Sequence, residues 1–228
     1  MKRSEINAIL AEAEDFLREQ RFFLPPFAAW GPDDWAGMGE EAREIVDNQL
    51  GWDITDFGTG DFGQCGLALF TLRNGSVANV KSGTGKTYCE KIAVMRQDQR
   101  CPMHHHFVKV EDIINRGTAP LAITLQEADG DGRPSDQPVT VSMDGVRRTV
   151  KAGDTVVLRA GESITLLPGC YHALWAPEGE VMFGEVSVVN DDHADNRFLQ
   201  PVGRFPEIDE DEAPRRLLVQ DYGRYWRA

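Results

Sequence analysis

The chain has 228 residues, 41% of them hydrophobic and 27% charged, with a formal net charge of -13. That is the composition of an ordinary soluble globular protein, and its acidic excess excludes nucleic acid and anionic membrane as partners, since both need a basic footprint. The four cysteines (Cys65, Cys89, Cys101 and Cys170) form no CxxC pair, no stretch approaches a membrane span, and no apolar signal segment opens the chain. These features predict reduced thiols in a cytoplasmic protein.

In chain order, Ile6, Ile9, Leu10, Ala13, Phe16 and Leu17 recur at helical spacing behind Ser4, a fair N-cap. Phe22 to Phe27 is an apolar connector stiffened by Pro25 and Pro26. Gly31-Pro-Asp-Asp-Trp35 opens a second helix that would carry Ala42, Ile45, Val46 and Leu50 and stop at Gly51. From Trp52 onward the pattern changes to short β-runs. Strands are predicted at 67–72, 88–95, 100–106, 121–126, 139–143, 146–150, 155–158, 164–167, 171–175 and 181–188. Asn74-Gly75 signals a hairpin, and Asp144-Gly145 and Gly153-Asp154 signal further turns. The Gly-rich stretch 82–86 lacks phosphate-loop spacing and reads as a flexible loop, 129–138 as a polar loop, and 217–219 as a final strand. Many short strands at close spacing predict a mainly β sandwich or barrel, residues 52–228. Residues 1–51 form a helical extension packed on it or on a twin subunit, the whole being one structural domain.

Three of the five histidines fall in one predicted strand, at His104, His105 and His106, with Glu111 close behind. Alternation puts His104 and His106 on one face and His105 on the other. A turn after His106 would return Glu111 toward the pair, and Pro168-Gly-Cys-Tyr-His172 supplies a distant third imidazole. Three imidazoles and a carboxylate suit a divalent transition metal. Cys170 is a soft donor two residues from His172, but alternation leaves its face open. Beside this set stand Lys91, Lys109, Asp192, Arg197 and Glu185. Glu185 is an acid in an otherwise apolar strand, so it is expected to face inward as a general base.

The spacing His-x-His-x4-Glu with a later Pro-Gly-x2-His resembles the two cupin motifs, and the resemblance sharpens over the whole chain. Tyr88-Cys-Glu-Lys91, the run Pro102 to Gly117, Pro168-Gly-x-Tyr-His172-x2-Trp175 and the run Gly184 to Phe198 are together similar to the D-lyxose ketol-isomerase family, as are Leu24-Pro-Pro-Phe27 and Thr71-Leu-Arg-Asn-Gly75. His105 stands where that family mostly carries an aromatic residue, and Ala176 replaces an Asn of the generic second cupin motif.

The resemblance implies a cupin jelly roll with N-terminal helices, a homodimer, and a manganese enzyme. It also implies interconversion of D-lyxose with D-xylulose, and often of D-mannose with D-fructose. It maps the metal ligands onto His104, His106, Glu111 and His172. In such a reaction a carboxylate moves a proton between C1 and C2 through an enediol, and a lysine neutralises the developing oxyanion. Glu185 is assigned the base, with a pKa raised by burial, and Lys109 the assistant. Lys91, Asp192 and Arg197 are sugar-binding candidates. Three imidazoles and a carboxylate also serve Fe(II) dioxygenases, and a non-catalytic sugar-binding cupin would keep the same metal set.

Overall fold

Short strands with one apolar face cannot bury that face alone. In the computed structural model, which describes residues 1–227, they stack as two facing antiparallel sheets. The larger sheet has the order β1 (Gly51–Thr55), β2 (Leu67–Arg73), β3 (Tyr88–Met95), β12 (Val181–Val188), β5 (Glu111–Asn115), β10 (Ser163–Leu166), β7 (Val139–Met143) and β8 (Val146–Val150). The smaller has β13 (Asn196–Phe198), β4 (Arg100–His106), β11 (Cys170–Trp175), β6 (Leu121–Glu127) and β9 (Thr155–Leu158). From β4 to β13 the chain changes sheet at every connection except the β7–β8 hairpin, which makes the fold a jelly roll. Met95, Ile113, Leu121, Ile123, Leu125, Ile164 and Phe183 fill the space between the sheets.

A second apolar layer lies outside the larger sheet. Helix α1 (Arg3–Glu19) buries Ile6, Ile9, Leu10, Ala13 and Leu17 with Trp52, Ile54, Phe70 and Ile92. Each fully buried Ile or Leu stabilises this contact by about 1.5–3 kcal/mol. The apolar stripe of α1 is therefore covered by the chain's own barrel, and Phe23, 78% exposed, is the large uncovered side chain of the connector. The C-terminal arm is fastened to the same helix. Buried Arg3 pairs with Asp221 (2.8 Å) and Glu210 (2.8 Å), Ser4 bonds Asp211 through its backbone N–H and its hydroxyl, and Arg216 pairs with Glu14.

Several expectations give way to long-range contacts. Lys2, not Ser4, precedes α1, because the Ser4 hydroxyl is engaged by Asp211. The second predicted helix breaks into α2 (Pro32–Ala36), a 3₁₀ turn (Glu40–Ala42) and α3 (Arg43–Asp47), with Leu50 outside. Gly51 is no helix stop; it opens β1 at φ 122°, where a Cβ would sit 2.2 Å from the Tyr222 hydroxyl oxygen. Asn74-Gly75 makes no tight hairpin, since α4 (Val77–Ser82), N-capped by Ser76, intervenes between β2 and β3. Gly75 answers a close approach instead: an added Cβ would lie 1.7 Å from the Lys86 carbonyl oxygen. Leu218 forms a single bridge to Trp52 and a 3₁₀ turn (Val219–Asp221) follows, so no last strand forms at 217–219. By contrast Asp144 (φ 51°) and Gly145 (φ 80°) do make the tight turn of the β7–β8 hairpin. Strands β1, β5 and β13 are not among the predicted strands.

Candidate active site

Strand alternation builds the first part of the site. On β4, His104 and His106 point between the sheets, while His105 turns outward against Tyr171, their ring centroids 4.5 Å apart. His172 on β11 lies directly across from His104. Each inward imidazole has its Nδ1 on a backbone carbonyl: His104 on Pro102 (2.8 Å), His106 on Asp195 (2.9 Å), His172 on Cys170 (3.0 Å). A carbonyl only accepts, so Nδ1 carries a hydrogen, and in the neutral ring Nε2 keeps a free lone pair. Donor atoms of the three rings lie within 4.8 Å of one another. Burial, with His172 and His106 beside it, holds His104 well below the ordinary histidine pKa and hence neutral.

Glu111 arrives from the opposite sheet, at the start of β5. Its Oε1 lies 3.3 Å from His106 Nε2 and 3.1 Å from His172 Nε2. The turn that returns it is closed by Asp195, whose carboxylate accepts the backbone N–H groups of Phe107, Val108 and Lys109 at 2.8–2.9 Å. With the tautomers fixed, the carboxylate oxygen and the two Nε2 atoms face each other as acceptors. His106 Nε2 and Glu111 Oε1 are indeed buried without a hydrogen-bond partner. Buried acceptors crowded in this way are costly unless a cation lies between them. The donor set therefore fits a divalent metal held by His104, His106, His172 and Glu111.

From Glu111 a ladder of alternating charges runs along the cavity. Lys109 Nζ touches Glu111 (2.8 Å) and Glu185 (2.9 Å), and Lys91 Nζ lies 3.5 Å from Glu185 and 3.8 Å from Asp192. Arg204 then pairs with Asp192 (3.0 Å) and Asp53 (2.6 Å). Asn190 accepts from Lys91 and Lys109, and is itself held by Asn74. Burial alone would raise Glu185, but the charges of Lys109 and Lys91 outweigh it and leave its pKa lowered. The raised pKa expected from burial alone is thus reversed. Burial is likewise outweighed at Asp192, held well below the carboxylate range by Arg204 and Lys91, and at Lys109, raised by Glu111 and Glu185. At Asp53 burial wins and the pKa rises.

These groups share one cavity of about 520 Å³, its mouth included, with apolar walls from Phe57, Leu69, Phe183 and Phe198. His104, His106, Glu111, His172, Lys109, Lys91, Glu185 and Asp192 all line it. Arg197 does not: on β13 it pairs with His105 and faces outward, its guanidinium reaching the Asp131 carbonyl at 3.5 Å, while its neighbours Asn196 and Phe198 line the cavity. Cys170 is buried away from the cavity, its thiol near the Tyr171 carbonyl. Arg204, Asp53 and Asp195 are site residues beyond those expected from the sequence. Asp53 carries the same signal that marked Glu185, an acid inside the apolar run Trp52-Asp-Ile54. Arg204 lies in an irregular arm and carries none.

A family model described as D-lyxose isomerase matches residues 1–222. The chain is 46% identical over 228 residues to a D-lyxose/D-mannose isomerase of Serratia proteamaculans, covering 99% of both chains. A D-lyxose/D-mannose isomerase of Escherichia coli O157:H7 is also 46% identical, with 99% of this chain and 100% of that one covered. Among solved structures, an L-ribose isomerase variant of Acinetobacter sp. DL28 bound to L-ribose superposes with a TM-score of 0.59 at 15% identity, covering 92% of this chain and 98% of the other. L-ribose isomerase of Cellulomonas parahominis with L-psicose gives 0.56 at 18% identity over the same shares. At those identities the likeness is one of fold.

Proposed function

The chain belongs to the D-lyxose isomerase family, and from that premise we infer an aldose–ketose isomerase that interconverts D-lyxose with D-xylulose and D-mannose with D-fructose. The carrying observation is the run Glu111–Lys109–Glu185 in one cavity, which sets a carboxylate base beside a buried ammonium and the metal donors. His104, His106, Glu111 and His172 would hold the ion, Mn2+ in this reading. When bound it supplies Lewis-acid polarisation of the sugar carbonyl.

Glu185, ionised by its lysine neighbours, takes the proton from C2 of the open-chain aldose and returns it to C1 of the enediol. The hydroxyl proton shifts from O2 to O1, so the net reaction is an isomerisation with no co-reactant. Lys109 compensates the negative charge that builds on oxygen. This role fits the same contact that lowers Glu185: the lysine that weakens the base in the resting site is the one placed to stabilise the charge the base creates. Lys91 and Asp192 bind sugar hydroxyls. Arg197 drops out of the sugar-binding set, because it faces away from the cavity.

Glu185→Gln is expected to keep its metal and lose about two to four orders of magnitude in turnover. Product formed in D2O by the wild type should carry deuterium at C1. Near-normal turnover in the variant, or complete absence of solvent deuterium, would defeat the assignment. The free cysteines support a cytoplasmic location. The exposed Phe23 and the family support a homodimer, which a monomeric mass by light scattering at micromolar concentration would rule out.

A further inference from the structure

Arg204 is a buried cation held between two buried acids, Asp53 and Asp192. It belongs to the irregular arm between β13 and the C-terminal 3₁₀ turn, yet its side chain is 12% exposed and forms part of the cavity wall. Its bonding is lopsided. A guanidinium meeting a carboxylate ordinarily uses two nitrogens in a fork. Here Nη2 alone serves both Asp53 Oδ2 (2.6 Å) and Asp192 Oδ2 (3.0 Å). Nη1 is buried with no partner, and so is Asp53 Oδ1. The group is nevertheless fixed, clamped by two acids and stacked on Phe205 at 4.8 Å. An oriented, desolvated N–H without a partner is an unmet demand of about 1–3 kcal/mol.

Building on the isomerase reading, we propose that Arg204 is a specificity-determining residue that binds the hydroxyls at the far end of the sugar. The charge ladder orders the cavity: metal donors and Glu111, then Lys109 and Glu185, then Lys91 and Asp192, then Arg204. A substrate whose C1 and C2 lie at Glu185 extends its remaining carbons along that ladder. A sugar hydroxyl accepts and donates at once, so it takes the free Nη1–H and gives its own hydrogen to a neighbouring carboxylate. The two acids flanking Arg204 also fix the chemical class of the tail. A terminal phosphate would meet Asp192 and Asp53 as well as the guanidinium, so the subsite selects neutral polyols over sugar phosphates.

The test is chain length. Arg204→Lys and Arg204→Gln are assayed with D-lyxose, D-mannose and D-glyceraldehyde, the last too short to reach Arg204. Arg204→Lys is expected to lose about ten- to a hundred-fold in kcat/KM with the five- and six-carbon sugars, mainly through KM, and at least about ten-fold less than that with the three-carbon one, as is Arg204→Gln where it folds. An equal loss on all three would mark a merely structural role and overturn the proposal, as would an unchanged KM for D-lyxose. Arg204→Gln strands two carboxylates and can fail to fold, whereas Arg204→Lys keeps the charge. Inhibition of the wild type by glycerol and xylitol gives an independent readout: xylitol should bind at least about ten-fold tighter, and equal binding would overturn the proposal whatever the variants do. A wild type that isomerises none of these aldoses would bring down the isomerase reading, and the Arg204 assignment with it.

Discussion

The two ends of the cavity are built on opposite principles. At the candidate metal end, imidazoles are aimed at one point by backbone carbonyls, and three of the four candidate donors come from two adjacent strands. At the other end, Lys91, Glu185, Asp192, Arg204 and Asp53 come from three strands, a loop and the C-terminal arm, and hold one another by charge. The first arrangement concentrates free lone pairs, which is what a cation requires. The second spends most of its bonding capacity internally and leaves a few directional groups, which suits a polyol. A wall of ion pairs is also more fragile, because removing one member leaves a buried charge uncompensated.

That contrast can be broken at the metal end first. In the double variant His104→Ala, His172→Ala, metal affinity should fall by well over about 100-fold, beyond the 10–100-fold typical of changes that only reorient a ligand. Elemental analysis after dialysis reads this directly. The ion pairs from Lys109 to Asp53 should leave the fold intact by circular dichroism. Full metal occupancy in that variant would mean the ion sits elsewhere.

The charged end should show itself in the acid limb of stability. Asp192 and Glu185 have folded pKa values below their unfolded ones, so their contribution is complete above about pH 4, near the unfolded carboxylate value, and is lost as pH falls through the lower folded value. Asp53, raised by burial, acts in the opposite sense. Asp192→Asn should therefore flatten the decline of melting temperature on acidification while lowering it at neutrality, where the wild type has the ion pair. An unchanged slope between pH 5 and 3 would show that Asp192 does not carry this linkage.

The smallest effect sharpens the comparison within one strand. His105 is as buried as its neighbours, but on the outer face, with Nε2 unpartnered. His105→Phe should keep one metal per chain and change stability by less than about 1 kcal/mol, since an apolar ring replaces a group whose hydrogen-bonding capacity is partly wasted. Loss of metal in this variant would show that strand alternation does not separate the roles of the three histidines.

Legibility followed the range of the forces involved. The strands from Tyr88 to Val188 were readable to within a residue or two, except β5, whose residues Glu111–Asn115 lie directly behind the metal motif and read as a turn and its return. β13 is only three residues long and is held by pairing with β4, a contact no local pattern announces. Ser4, Asn74-Gly75 and Gly51 were misread for a shared reason. Each carries a strong local signal that a distant group overrides: Asp211 for Ser4, Asn190 and Lys86 for Asn74-Gly75, Tyr222 for Gly51. The α1 stripe was legible as amphipathic, while the choice of its own barrel as the surface that covers it was not.

By itself, then, the sequence determined the β-rich class, the inward pair His104 and His106, and the ligand chemistry. Those follow from side-chain alternation and residue type, which act within a few residues. Tertiary structure decided which of the remaining charges face the cavity. It turned Arg197 out because β13 pairs with β4 in the register that sets Arg197 opposite His105. It brought Arg204 in because the arm, fastened to α1 through Arg3 and Glu14, sets it against Asp53 and Asp192 in the cavity wall. It lowered Glu185 because β3 places Lys91 beside it and the turn closed by Asp195 delivers Lys109. Charge–charge energies depend on distance through space, and separation along the chain does not report that distance.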